Sequence, residues 1–307
     1  MSSLIPSPSA NRRGIVLMIA AAGFFAANDA CTKLASAYMP TSQMMAFRGV
    51  VAALVLLGIL AARGELAGLR HVLNRLVLLR AGMEATIAFL YITALAFMAL
   101  GDASAVQQMA PLFTTALAVV LFGARVGFGS WMAVAVGFLG VLLIVRPGVG
   151  GFQAVALLPL GAALLIALRD FVTARIAPRI PTLVVTLATA IVGSLAGFAG
   201  GGVQDWQPLG LAAYGLLACA GVNLVLGHIL AIAAFRGTEP EVISPFRYAN
   251  MPFAVGLGAL LFGVVPDLIA IGGIALIIGA GIYNLHHEMT RKPALPPARV
   301  KLAKGKV

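Results

Sequence analysis

Acidic side chains are scarce in this chain: ten Asp and Glu among 307 residues, against 21 Lys and Arg. Charge of either sign is thin, at 10% of residues, where a soluble domain carries about a quarter. So little charge cannot cover a water-exposed surface, and 61% of the residues are apolar with a mean hydropathy of +1.02. A soluble fold is excluded; the solvent is mostly lipid. Cysteine is nearly missing. Cys31 and Cys219 stand in separate apolar runs, which excludes a disulfide framework or a CxxC pair and predicts two small buried hydrophobes. There is no HExxH, P-loop, G-x-S-x-G or clustered Cys/His set. An enzyme, a metal site and a bound cofactor are therefore not expected.

The net charge of +11 does not point to nucleic acid. Six of the Lys and Arg lie in the last 17 residues, "RKPALPPARVKLAKGKV", a Pro-rich basic stretch that reads as an unstructured tail or an anionic-lipid contact. His286-His287, just before it, reads as an interfacial pair.

What is there instead is length without polarity. A spanning helix needs roughly 20 apolar residues. Ten runs qualify: 14–38, 42–62, 76–99, 102–123, 128–146, 152–174, 182–201, 208–234, 239–263 and 266–287. They should be helical, because lipid offers the backbone no hydrogen-bond partner and no barrel-like alternation is present. "ASA" at 35–37 imitates a signal-peptidase site, but the run before it is long and carries Asn28-Asp29, so it is expected to be retained. With the N-terminus inside, Arg12, Arg13, Arg63, Arg70, Arg75, Arg125, Arg175, Arg179, Arg236 and the basic tail all face the cytoplasm, and Arg146 alone faces out. That bias predicts a bacterial inner-membrane protein with both termini cytoplasmic.

A repeat lies under the runs. At an offset of 141, "AANDACTKLASAYMPT" (26–41) aligns with "ALRDFVTARIAPRIPT" (167–182), matching Ala26/Ala167, Asp29/Asp170, Thr32/Thr173, Pro40/Pro181 and Thr41/Thr182. At 140, "PLFTTALAVVLFG" (111–123) aligns with "MPFAVGLGALLFG" (251–263). Each half then holds five spans. An odd number inserts the second copy upside down, an arrangement many secondary transporters use for alternating access. The expected organisation is a cytoplasmic N-terminal tail (1–13), a first five-helix repeat (14–146), a second (152–287) and a basic cytoplasmic tail (288–307).

With "AVQQMAPLFTTALAVVLFG" and "ISPFRYANMPFAVGLGALLFG" in spans four and nine, the chain over roughly 14–287 resembles the drug/metabolite transporter superfamily, specifically its EamA-type members. Within them it is most similar to bacterial amino-acid and metabolite exporters of the YddG type. Members often place a Glu after the LFG-like end of these helices; Ala124 and Val264 stand there here, so no role of that Glu is carried over. The resemblance implies an all-α membrane protein of ten helices in an inverted 5+5 repeat, exporting amino acids or related metabolites. A facilitator or exchanger of another solute is the alternative. A lipid-modifying membrane enzyme would need a clustered nucleophile, metal site or acidic motif at one interface, which the sequence lacks. The expected partners are a small-molecule substrate and the lipid bilayer.

Ionisable groups inside spans are costly and mark function or tight pairing. Asp29 and Lys33, one turn apart, are expected to pair, with Arg48 at similar depth, as an outer cluster. Arg80, Glu84, Arg169, Asp170 and Arg247 form the expected inner cluster, with Glu239 and Glu241 nearer the surface. Such clusters act as alternating gates, as carriers of substrate or protons, or as static bridges that fix helix register. Asn28, Tyr91, Gln107, Gln108, Asn223, His228, Ser244, Tyr248 and Asn250 are the candidate cavity lining, where amides and hydroxyls orient a polar solute or bond helices together. Pro111, Pro245 and Pro252 interrupt spans four and nine as hinges or packing kinks.

Overall fold

The computed structural model describes residues 8–123, 127–145, 154–177, 179–235 and 243–290, and every regular element within them is a helix. The elements are α1 (Pro8–Ala35), α2 (Thr41–Ala62), a 3-10 helix (Leu66–His71), α3 (Arg75–Phe97), α4 (Leu100–Gln107), α5 (Ala110–Phe122), α6 (Phe128–Val145), a 3-10 turn (Ala154–Ala156), α7 (Leu157–Thr173), α8 (Thr182–Gly200), α9 (Leu211–Phe235), a 3-10 helix (Ser244–Ala249), α10 (Asn250–Phe262) and α11 (Leu268–Thr290). Among the described residues, nine helical stretches are long and apolar enough to cross a membrane, with α4 and α5 counted as one. The segment of the 3-10 helix and α10 is not among these nine. Arg146, Glu239, Glu241 and the tail from 291 lie outside the described residues.

Local chemistry starts the helices. Asn74 Oδ1 accepts from the Leu76 N–H at 3.0 Å at the head of α3, and Asp267 Oδ1 accepts from the Ala270 N–H at 2.8 Å at the head of α11. Pro40 and Pro181, both extended, precede α2 and α8. Large apolar side chains are left outside, among them Leu54 at 63% and Leu260 at 82% exposed, which suits acyl chains and not water. The inside is lined largely by alanine, including Ala21, Ala26, Ala35, Ala46, Ala81 and Ala94, which lets backbones approach. α6 and α11 are one such close pair. A Cβ on Gly140 would meet the Gly273 carbonyl at 2.7 Å, and one on Gly273 would meet the Gly140 carbonyl at 2.6 Å.

Local features recur at the spacings read from the sequence. Thr32 Oγ1 donates to the Asn28 carbonyl, and Thr173 Oγ1, 141 residues on, donates to the Arg169 carbonyl, both at 2.8 Å. α5 and α10 each have 13 residues, and each ends on a left-handed glycine, Gly123 (φ 63°) and Gly263 (φ 64°). That conformation ends a helix and suits glycine. In packing, α1 lies on α9 and α7 on α3; α2 lies on α9 and α8 on α3; α1 lies on α10 and α7 on α5. α2 with α8, α6 with α11, and α4 with α10 complete the main contacts.

The prolines do not kink continuous helices. Span four breaks at Gln108–Met109, and Pro111 lies in the first turn of α5. Pro252 lies in the first turn of α10, and Pro245 in the first turn of the 3-10 helix before it. A first-turn proline lacks only an N–H that has no partner within the helix anyway, so these residues start half-helices after the breaks.

Candidate functional site

Two polar networks stand at different depths between the helices. In the first, Tyr91 of α3 donates its hydroxyl to Asp29 Oδ2 of α1 at 3.1 Å and lies 3.0 Å from Ser104 Oγ of α4. Asn28 Nδ2 donates to Asp29 Oδ1 at 2.8 Å, and Arg48 Nη1 of α2 donates to Asn28 Oδ1 at 3.2 Å. Asn28 thus stands between the guanidinium and the carboxylate. The expected Asp29–Lys33 pair is replaced. Lys33 Nζ donates to the carbonyls of Leu95 and Met98 at 2.7 and 2.6 Å, and lies 5.3 Å from the centre of the Phe262 ring. Those carbonyls end α3, where a cation also meets the negative end of the helix dipole, so the ammonium finds better partners across the interface than along its own helix.

In the second network, Arg169 of α7 bridges two carboxylates. Its Nη1 is 2.6 Å from Glu84 Oε2 of α3, and its Nη2 is 2.6 Å from Asp170 Oδ1. Arg80, one turn from Glu84, bonds elsewhere: Nε donates to Thr173 Oγ1 at 3.1 Å and Nη1 to Thr189 Oγ1 of α8 at 2.7 Å. Arg247 is not drawn into this network. Its side chain is exposed, and its carbonyl accepts from Gln108 Nε2 at 3.4 Å. That bond joins the break of span four to the turn that precedes α10.

A cavity of about 90 Å³ lies among α2, α3, α8 and α9, and Arg48, Arg80, Glu84, Thr186, Thr189 and His228 line it. His228 Nδ1 lies 2.8 Å from the Leu224 carbonyl, and its ring meets Phe25 edge-on at 5.1 Å. A carbonyl only accepts, so Nδ1 carries the hydrogen and Nε2 is the ring's other polar atom. Four of the residues read from the sequence, Arg48, Arg80, Glu84 and His228, line this cavity; others sit elsewhere. Tyr248 is buried with its ring against Gly281 of α11. Asn250 Nδ2 reaches the Ala22 carbonyl at 3.4 Å, and Asn223 Nδ2 reaches the Cys219 carbonyl at 2.8 Å. Gln107 is half-buried at the end of α4. The side chains of Ser244 and Pro245 lie outside the described residues.

The cysteines also depart from expectation. Cys31 is half-buried and Cys219 exposed, and their sulfurs lie 3.0 Å apart across the α1–α9 contact.

Residues 12–146 match the EamA-like transporter family. Over 232 residues the chain is 32% identical to a riboflavin transporter of Rhizobium johnstonii, covering 73% of each chain. The chain belongs to the EamA-like transporter family. It is also 26% identical to the pseudopaline exporter CntI of Pseudomonas aeruginosa over 272 residues, 88% of this chain and 95% of that one. A S-adenosylmethionine uptake transporter of Rickettsia prowazekii is 23% identical over 186 residues, 61% of this chain and 63% of that one. A crystal structure of a protein at 18% identity superposes with a TM-score of 0.63 over 92% of this chain and 99% of that one, a match of fold.

Seen as an EamA-like transporter, the molecule has hollows at the Lys33 end. One of about 320 Å³ runs past Met98, Asp102, Ala156 and Asp267, and an open groove of about 660 Å³ runs past Tyr38 and Leu216; Lys33 and Phe262 form part of the wall of both. Sequence reasoning missed Ser104, Asp102, Thr173 and Thr189. Asp102 and Ser104 both lie on α4, where a carboxylate in the first turn was a readable signal. The threonines look like ordinary helix residues until their neighbours across the bundle are known.

Proposed function

We propose that this EamA-like transporter is a secondary transporter that exports amino acids or related small metabolites across the inner membrane. It works by alternating access around the Arg48–Glu84–His228 cavity, with two five-helix halves (14–146 and 152–287) inserted in opposite senses and both termini cytoplasmic. The broken segment of the 3-10 helix and α10 is the ninth of ten spans. The observation that carries this reading is the recurrence of local structure at 140–141 residues: the Thr32 and Thr173 bonds, and the 13-residue half-helices ending on Gly123 and Gly263. Packing supports it as well. A shift by five spans turns α1–α9 into α7–α3, α2–α9 into α8–α3 and α1–α10 into α7–α5, and returns α2–α8, α6–α11 and α4–α10 to themselves. Helices broken within the membrane are tolerated where they line a cavity or are buried in protein, which fits the two breaks that meet at Gln108 and Arg247.

In this reading the Arg169 network latches the cytoplasmic end, and the Tyr91–Asp29–Asn28–Arg48 chain holds the outer half. The cavity admits a small polar head, and a whole solute requires the halves to part. The kinship with a riboflavin transporter favours one rival cargo, a flavin. Proteoliposomes containing the purified protein, offered labelled amino acids and riboflavin with and without a pH gradient, test both. Saturable movement of an amino acid supports the first reading, riboflavin alone supports the second, and movement of neither ends both.

A further inference from the structure

We infer that Arg48 and Arg80 together form a subsite for a carboxylate group of the transported solute, an inference that rests on the transport reading above. The pairing of charge across the site is lopsided. Arg169 takes Glu84 and Asp170. Arg80 has bonds to the hydroxyls of Thr173 and Thr189, and Arg48 has a bond to the amide oxygen of Asn28. Among the described residues, all of these arginine bonds end on neutral oxygens.

Donor bookkeeping supports the same view. Thr189 Oγ1 donates its hydrogen to the Val185 carbonyl, and Thr173 Oγ1 donates to the Arg169 carbonyl, so each faces Arg80 as an acceptor. A guanidinium has five N–H donors and no acceptor; Arg80 spends two and Arg48 one. Both line the same cavity between α2, α3, α8 and α9. Buried charges are ordinarily paired, and a planar carboxylate can accept two parallel hydrogen bonds from a guanidinium fork. Asn28 holds Asp29 one group away from Arg48, and Arg169 neutralises Glu84 from behind, so the lining keeps an excess of positive charge. Glu84 also lines the cavity and opposes a dianion such as phosphate more than a carboxylate. The same Glu84, with His228, gives an amino group of a zwitterion an acceptor on the other side.

The test compares acids with their amides on the wild-type protein, so it does not depend on a variant folding. Proteoliposomes are offered labelled L-phenylalanine, L-methionine, succinate and riboflavin, with L-phenylalaninamide, L-methioninamide, succinamide and inorganic phosphate as competitors. The expected result is saturable movement of at least one acid, with competition by unlabelled acids at concentrations at least tenfold below those of the amides or phosphate. Arg48→Gln and Arg80→Gln should each raise KM for that acid at least tenfold with less change in kcat, and Arg48→Lys should recover part of the loss. Amides or phosphate competing as well as acids overturn the inference, as does an unchanged KM in both glutamine variants. Riboflavin moving without any acid overturns it while transport itself stands. No movement of any solute overturns the transport reading with it.

Discussion

Arg169 and Glu84 meet at 2.6 Å and tie α7 to α3 with both side chains largely out of solvent. Removing one partner of such a pair leaves the other charge uncompensated. Glu84→Gln should therefore lower stability by about 3 kcal/mol, and Glu84→Gln with Arg169→Gln by less than the sum of the two single changes. Asp170 is 40% exposed, so Asp170→Asn should cost under about 1 kcal/mol. Chemical denaturation in detergent measures all four proteins, and equal losses for Glu84→Gln and Asp170→Asn would remove the distinction.

Asp29 accepts from both Tyr91 and Asn28, and a neutral amide replaces only part of that. Asp29→Asn should slow transport roughly tenfold, the scale of a hydrogen bond to a charged group, with expression little changed. Asp170→Asn should slow turnover too, in spite of its small effect on stability. Wild-type turnover in both variants would leave these aspartates as register-fixing contacts.

Lys33 closes the end of α3 through two carbonyls. Lys33→Met should lower stability by under about 1 kcal/mol. Lys33→Arg should keep most of the effect, since it still donates to those carbonyls; thermal melting with static light scattering reads the difference.

Cys31 and Cys219 offer a ruler for the α1–α9 contact. Mild oxidation with copper phenanthroline should join the two sulfurs, with loss of two hydrogens to the oxidant. Intact-mass spectrometry of the unreduced protein should find a product two hydrogens lighter, absent in Cys31→Ser. Failure to cross-link in wild type would mean that α1 and α9 do not pack in this register.

The amino-acid sequence made the apolar runs, the spacing of the repeated features and the charged positions legible, because each follows from local composition. It did not reveal partners. Asp29 and Lys33 look matched along one helix, yet Lys33 bonds to the end of α3, a choice fixed only once two helices cross. Arg80 and Glu84 separate for the same reason. The breaks were half-legible. Pro111 and Pro252 mark them, but a first-turn proline and a mid-helix kink look alike in a one-dimensional string. Arg247 was placed by depth alone, and depth says nothing about which way a side chain turns.

Gly140→Leu should cost about 1–3 kcal/mol, since its side chain would have to displace the backbone of α11. Gly140→Ala is the milder test of the same contact, and unfolding in a denaturant series compares them.

That contact has a mechanical meaning. Where Gly140 faces Gly273, main chain abuts main chain, and no rotamer can flex to lengthen or shorten the gap. α6 and α11 therefore meet here without a side-chain cushion between them. A displacement of either helix at this point is passed straight to the other.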